Sequence, residues 1–398
     1  MHIPFEASAH VKKMLNNLGR TEDLAFSPDN RKLAIAAYSQ NKVLMLDVAI
    51  STSLNQSKIL ISDCYEILSE DLNLPHGITW IDNKTLVVGN RFGQTIVLAL
   101  PDMQAGQKQL KLAALQILPT ASDNKHHSHD CVAIHPIGQD LYEVLVCSNN
   151  GNYVSSHILD GADSFSVIAE SILLDHKIQT PDGVAFSPDG RWIAVSNHTN
   201  QSVYIYENVK SLNPASEPCA VLPGITYPHG ITFSGCAQFL FVTAAGDPYI
   251  YIYHNPNNEW HGEYQPFTKF KSLDDETFKR GHYNEQEGGS KGICFAHNAN
   301  ILAMTCNEQP LAFAEMTGLM SDLEYKTISA LPTANSQKNP IDYLQRTIQC
   351  MKVTQNQLMK LHSEDMQAIL SSKSWKITRP LRVLKRTLDN CANAIKNW

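Results

Sequence analysis

Six short phrases in this chain each place a polar or charged residue just ahead of an apolar, β-rich run: Glu22 or Asp23, His76, His129 or Asp130, Asp182, His229 and Lys291. A second set, Asn90, Asn149, Asn197 and Asn307, follows the next apolar run of its phrase. Carboxylates and amide oxygens suit a hard cation such as Ca²⁺, while imidazoles admit Zn²⁺ or Mn²⁺. The same residue types also have a structural use, because Asp and His ahead of glycine form turns and satisfy free backbone N–H groups. Other chemistries lack a motif. The chain has no Gly-x-Ser-x-Gly elbow, P-loop or Gly-x-Gly-x-x-Gly, so serine acyl transfer, phosphoryl transfer and dinucleotide redox chemistry have no sequence support.

These residues must be brought together by a repeat. The phrase Phe-Ser-Pro-Asp occurs at Phe26–Asp29 and again at Phe186–Asp189, and an equivalent anchor falls at Trp80, Ile134, Phe233 and Phe295. A period of roughly 50 residues with strand content marks propeller blades. The best-formed unit runs from Thr180 to Asn197 and on to Ser202–Tyr206. In it Val184 and Phe186 alternate with small neighbours, Pro188 presets a type I turn, and Asp189-Gly190 completes the reversal. A fourth, outer strand fits the apolar runs Lys58–Ile61, Leu112–Leu115, Ser166–Ala169 and Cys219–Leu222. Four strands per repeat predict an all-β, six-bladed β-propeller over residues 21–332, with a seven-bladed ring as the alternative. Such a ring buries sheet faces between neighbouring blades. Closure is expected from the segment around Val11–Leu18 within residues 1–20, as a closing strand or helix, or from the run Leu323–Leu331. The polar insertion from Asp274 to Ser290 reads as an exposed loop.

In a propeller the strand starts converge on one mouth of the central channel. His76, His129, His229 and Lys291 are therefore the candidates for binding a ligand there. His126 and His127 read as a solvated loop.

Composition bounds the partners. A hydrophobic fraction of 43% with a formal charge of −7 describes an ordinary globular chain without the basicity that favours nucleic acid, so no nucleic-acid partner is expected. No stretch approaches the roughly 20 apolar residues of a membrane span, and the first residues lack a signal-peptide pattern, so the expected location is cytoplasmic. The nine cysteines have no Cys-x-x-Cys spacing and read as reduced, buried thiols.

Residues 333–398 are different material. From Pro340 the β pattern stops, and Leu344, Ile348, Met351, Leu358, Leu361, Met366, Ile369 and Leu370 follow helical spacing. Beyond them lies a basic stretch with Lys373, Lys376, Arg379, Arg382, Lys385 and Arg386, and then an apolar helical face of Leu381, Leu384, Leu388, Ala392, Ile395 and Trp398. An α-helical, basic, amphipathic tail suits an anionic membrane surface or a protein partner, met through Trp375, Arg379, Arg382, Lys385 and Arg386. Peripheral attachment at the inner face of the membrane is the corresponding expectation. Packing on the propeller rim is the other use of such a helix.

Two resemblances bear on function. The phrases Pro181–Gly190 and Pro228–Phe233 resemble six-bladed propellers of the regucalcin, gluconolactonase and strictosidine-synthase-like group, over roughly Arg20 to Leu331. The resemblance implies a divalent ion held, by blade position, at Glu22, His129 or Asp130, Asp182 and Asn197. Glu22, Asp130, Asp182 and Asn197 are the metal candidates that follow, with Ca²⁺ or another divalent cation as cofactor and a small sugar-like ligand in the channel. The chain departs from that group in having Pro-Asp-Gly for Pro-Asn-Gly and in lacking a Glu-Gly-Pro opening. Separately, Ser374–Arg382 resembles a segment of bacterial glycosyltransferases and methyltransferases of surface-polysaccharide assembly. Two functions are expected from these readings. One is a non-catalytic binding or scaffolding propeller, associated with polysaccharide assembly through its tail. The other is a metal-dependent, lactonase-like hydrolase.

Overall fold

In a computed structural model of the protein, residues 2–53, 56–104, 106–121, 128–296 and 299–320 are described. The expected tail with its basic residues, the closing run 323–331 and the loop histidines His126 and His127 lie outside the described residues.

The described residues form six sheets of four or more strands, antiparallel in the main, that make a six-bladed β-propeller. Their innermost strands are Leu24–Phe26, Pro75–Asp82, Val132–Gly138, Pro181–Phe186, Pro228–Phe233 and Ile293–Phe295, each followed by its hairpin partner. The Phe-Ser-Pro-Asp phrase is the turn of that first hairpin. Ser187 Oγ accepts from Trp192 N at 2.9 Å and donates to Asp189 Oδ1 at 2.5 Å, and Asp189 Oδ1 accepts from Arg191 N at 3.0 Å. Ser27 and Asp29 make the same bonds to Lys32 and Arg31. The turn ends in a left-handed residue, Gly190 at φ 67° or Asn30 at φ 58°, which are residue types that tolerate that region.

Second strands such as Lys32–Ala37 and Phe239–Ala244 are buried along nearly their whole length, as strands sandwiched between neighbouring blades must be. Each blade contact has its own apolar cluster. Leu86, Trp80 and Met45 join blades 1 and 2, Val97 and Val144 join blades 2 and 3, and Leu145 and Ile193 join blades 3 and 4. Val203 and Leu240, then Phe241 and Leu302, continue the series around the ring.

Closure differs from the sequence expectation. His2–Ile3 pairs antiparallel with Ala312–Glu315 and supplies the outer strand of blade 6. The segment around Val11–Leu18, expected as a closing strand or helix, contains the helix Ala9–Asn16, which Ser8 caps by accepting from Val11 N at 3.2 Å. Val11 and Leu15 fall on one helical face and, with Leu18 just beyond the helix, enter the core between blades 1 and 6. The outer strand of blade 2 is Gln116–Ile117 and not Leu112–Leu115. The chain first adds Gln109–Lys111 in parallel to blade 1 before crossing to blade 2. No helix among the described residues is long and apolar enough to cross a membrane.

Buried titratable groups inside the blades make stability depend on pH. His157 of blade 3 is fully buried against Ser155, 3.0 Å away, and burial, helped by His129, depresses its pKa to about 3. The unfolded imidazole takes up a proton near pH 6.5 while the folded one does not, so stability is lost as pH falls from about 6.5 towards 3. Urea midpoints measured between pH 7.5 and 4 should fall, and His157→Gln should flatten part of that slope. An unchanged slope would place the acid lability elsewhere.

Candidate functional site

The polar strand starts do meet at one end of the channel. His76 Nε2 lies 3.8 Å from Glu22 Oε2 and 3.6 Å from Asp182 Oδ1. His229 Nε2 lies 3.4 Å from both Glu22 Oε2 and Asp182 Oδ2. The two imidazoles stack with centroids 5.5 Å apart. Four side chains from blades 1, 2, 4 and 5 thus face one another, each at most 4% exposed. Neither ring nitrogen of His229 makes a hydrogen bond, which is costly for a group this deeply buried.

Glycine lets the blades come this close. Gly77 N donates to Asp130 O at 2.9 Å and Gly230 N donates to Lys291 O at 3.0 Å, so successive innermost strands touch backbone to backbone. A methyl group at Gly183 would overlap the carbonyl oxygen of His229. The polar residue points into the channel and the glycine after it lets the next blade approach.

Around this cluster stands a shell of fixed charges. Lys291 Nζ donates to Glu22 Oε2 at 2.9 Å and to Glu287 Oε2 at 3.1 Å, and Arg20 Nε donates to Glu22 Oε1. Burial opposes ionisation of Glu22, but Lys291, His229 and Arg20 outweigh it and hold the carboxyl well below its usual range. Asp182 is likewise held low against its burial, by His229 foremost. Burial pushes His76 down to about 3, so its ring is neutral. For His229, burial also disfavours charge, yet Asp182 and Glu22 raise its pKa.

The remaining sequence candidates are placed differently. Asp23 binds backbone, accepting from Ile78 N at 3.0 Å and Leu24 N at 2.9 Å, and burial raises its carboxyl to about 7. Asp130 accepts from Arg91 Nη1 at 2.6 Å and Asn149 N at 2.9 Å, and burial carries it up to about 6 despite that guanidinium. His129 turns away, its Nδ1 accepting from Thr95 N at 2.8 Å between blades 2 and 3. Asn197 Oδ1 accepts from Gln179 N at 3.0 Å, so the side chain supports a loop. Asn149 reaches the cluster, donating to Asp182 Oδ1 at 2.8 Å, whereas Asn90 ties backbone at Asn73, Asp71 and Gln94. Of the set Glu22, Asp130, Asp182 and Asn197, the structure brings Glu22 and Asp182 together with two histidines. Asp130 and Asn197 are committed to other partners.

Several residues at the mouth were not singled out from the sequence: Arg20, Arg91, Cys131, His198 and Glu287. His198 Nδ1 lies 3.4 Å from Asp182 Oδ2, its ring stacked on Tyr227 at 4.9 Å. Glu287 comes from the polar insertion, which is not simply an exposed loop. Asp274 caps the helix Asp275–Gly281, and Gly288 N and Gly289 N both donate to Ala245 O, at 2.8 and 2.7 Å. That docking folds the insertion over the mouth. Beneath it a cavity of about 330 Å³ is lined by Arg20, Tyr283, Glu287, Lys291, Asn307 and Glu308, among others. On the other side of the cluster the channel continues as a space of about 240 Å³ between the six innermost strands.

No family model matches this chain, and no curated protein does. Among solved structures it is similar to the β-propeller domain of Myceliophteria thermophila Cps50 (Swd1), at 13% identity over 74% of this chain and 82% of that one, with a TM-score of 0.45. It is also similar to a Trichoderma reesei carbohydrate-active enzyme of family AA12, at 10% identity over 75% and 93% of the two chains and a TM-score of 0.49. A third likeness is to Kuenenia stuttgartiensis hydrazine synthase, at 14% identity over 75% and 96%, with a TM-score of 0.42. None of these likenesses carries an activity to this chain.

Proposed function

We propose that the channel mouth binds a divalent transition-metal ion through His76, Asp182, His229 and Glu22, and that the protein is a metal-dependent hydrolase acting on an ester or lactone. The observation that carries the reading is the convergence of two imidazole nitrogens and two carboxylates at 3.4 to 3.8 Å, with His229 otherwise unpaired. Those separations are long for hydrogen bonds. For Glu22 Oε2 and the two imidazole nitrogens they suit atoms around a common cation, since tetrahedral bonds of about 2.1 Å set ligand atoms about 3.4 Å apart, whereas Asp182 meets the two rings through different oxygens. Two imidazoles among four donors favour Zn²⁺ or Mn²⁺ over Ca²⁺, which takes six or more oxygens.

When bound, such an ion polarises a carbonyl and lowers the pKa of a coordinated water to about 7. The protein's own groups do the rest. Glu22 stays ionised beside Lys291, and Lys291 and Arg20 place positive charge on the wall of the 330 Å³ cavity, where a developing oxyanion needs it. The ligand atoms of Glu22, His76 and His229 all lie within 4.8 Å of one another and make a three-ligand set, while Asp182 meets the two imidazoles through different oxygens.

The approach of Asp182 to both imidazoles, at 3.6 and 3.4 Å, favours a second reading: with Asp182 as the fourth ligand the set is closed, and a closed site is structural. The protein is then a binding or scaffolding propeller with a metal-stabilised channel. Its attachment to a membrane or polysaccharide-assembly complex through Trp375, Arg379, Arg382, Lys385 and Arg386 rests on the tail's composition and resemblance.

Chelator-treated protein, reloaded with Zn²⁺ or Mn²⁺, should be assayed against a panel of sugar-derived lactones and aryl esters by pH-stat. Hydrolysis restored by metal and abolished by chelator is the expected result. Metal-loaded protein that hydrolyses none of them would leave only the structural reading.

A further inference from the structure

We infer that Cys131 is a positioning residue for this centre, a thiol from blade 3 that fixes the tautomer of His76 on blade 2 and ties it to the backbone of Asp182 on blade 4; the inference rests on the metal reading above. Cys131 Sγ lies 2.8 Å from the carbonyl oxygen of Asp182 and 3.5 Å from His76 Nδ1, and the thiol is buried. A backbone carbonyl only accepts, so the S–H proton lies on that line. The sulfur then offers lone pairs to His76, and Nδ1 must bring the hydrogen. The other nitrogen, Nε2, is left with its lone pair directed at the space shared with Glu22 and Asp182, which is the form a metal ligand needs. Metal-bound histidines commonly donate their second N–H to an outer acceptor that sets ring orientation, and here that acceptor is a sulfur.

Packing is the competing use of this thiol, since Cys131 also meets Leu145, Val154 and Val184 in the core between blades 3 and 4. Packing requires volume. Positioning requires one atom that both donates and accepts, which serine supplies and alanine does not.

The test uses the full chain with Cys131→Ala and Cys131→Ser. Zn²⁺ affinity is measured by calorimetry with a competing chelator, and the tautomer of His76 by ¹⁵N-histidine NMR on metal-free protein. Wild type should show the Nδ1–H tautomer. Cys131→Ala should bind Zn²⁺ about 10–100-fold more weakly, with melting temperature little changed, and Cys131→Ser should recover most of that loss. Wild-type His76 in the Nε2–H form, or Cys131→Ala binding Zn²⁺ as tightly as wild type, would overturn the assignment. If wild type binds no Zn²⁺ at all, the metal reading fails, and the tautomer in the metal-free protein still decides the role of Cys131.

Discussion

His229→Ala is expected to abolish stoichiometric Zn²⁺ binding, with a loss larger than the roughly 10–100-fold that outer-shell changes cost. His229 is the one member of the cluster whose ring nitrogens make no well-aligned hydrogen bond, its polar contacts being the 3.4 Å approaches to Glu22 and Asp182. The competing account makes His229 an imidazolium held between Glu22 and Asp182, consistent with the raised pKa that those carboxylates give it. The two accounts predict different stability. An imidazolium counter-ion removed from between two buried carboxylates should cost about 3–5 kcal/mol in any buffer. A metal ligand removed should cost most when Zn²⁺ is present, because wild type then gains stability from the bound ion and the variant does not. Thermal melts of both proteins with saturating Zn²⁺ and with chelator separate the cases. A wild-type melting temperature indifferent to Zn²⁺, together with a large drop on His229→Ala, would favour the imidazolium.

Gly183→Ala should damage both fold and site. The added methyl would collide with the His229 carbonyl, an oxygen already held by Ser196 Oγ at 2.9 Å, so neither backbone can move without breaking the contact between blades 4 and 5. Overpacking against backbone belongs among the most costly single changes, and about 3 kcal/mol or more is expected, a fall in melting temperature on the order of 10 °C. Because Asp182 precedes this glycine and His229 carries the opposing carbonyl, two cluster members would be displaced together. Gly318→Ala serves as the control, since its methyl meets nothing within 4 Å, and a change within about 0.5 kcal/mol is expected. Equal melting temperatures for the two variants would show that the ring has slack at the blade 4–5 contact.

Much of the architecture was legible because it repeats. Ser187 and Asp189 make the same turn as Ser27 and Asp29, so a four-residue phrase identified a hairpin twice and the register of the others. The channel mouth was legible as a set of positions, because Glu22, His76, Asp182, His229 and Lys291 all start innermost strands and all arrive there. Aim was not legible. Whether Glu22 or Asp23 faces the cluster depends on a backbone bond from Ile78 in the next blade, and Asp130 is drawn off by Arg91, which lies 39 residues away. Closure was missed because His2–Ile3 is too short for any periodicity to register, and its partner lies at the far end of the ring. Glu287 was hidden in a segment whose polarity reads as solvent exposure, although its glycines dock it on the carbonyl of Ala245.

The most direct measurement is anomalous diffraction at the zinc edge from crystals of the full chain grown with Zn²⁺. The account predicts a peak within bonding distance of His76 Nε2, His229 Nε2 and a Glu22 oxygen. Zinc bound elsewhere on the surface, with no peak between these side chains and His229 closed directly onto Glu22 and Asp182, would contradict it.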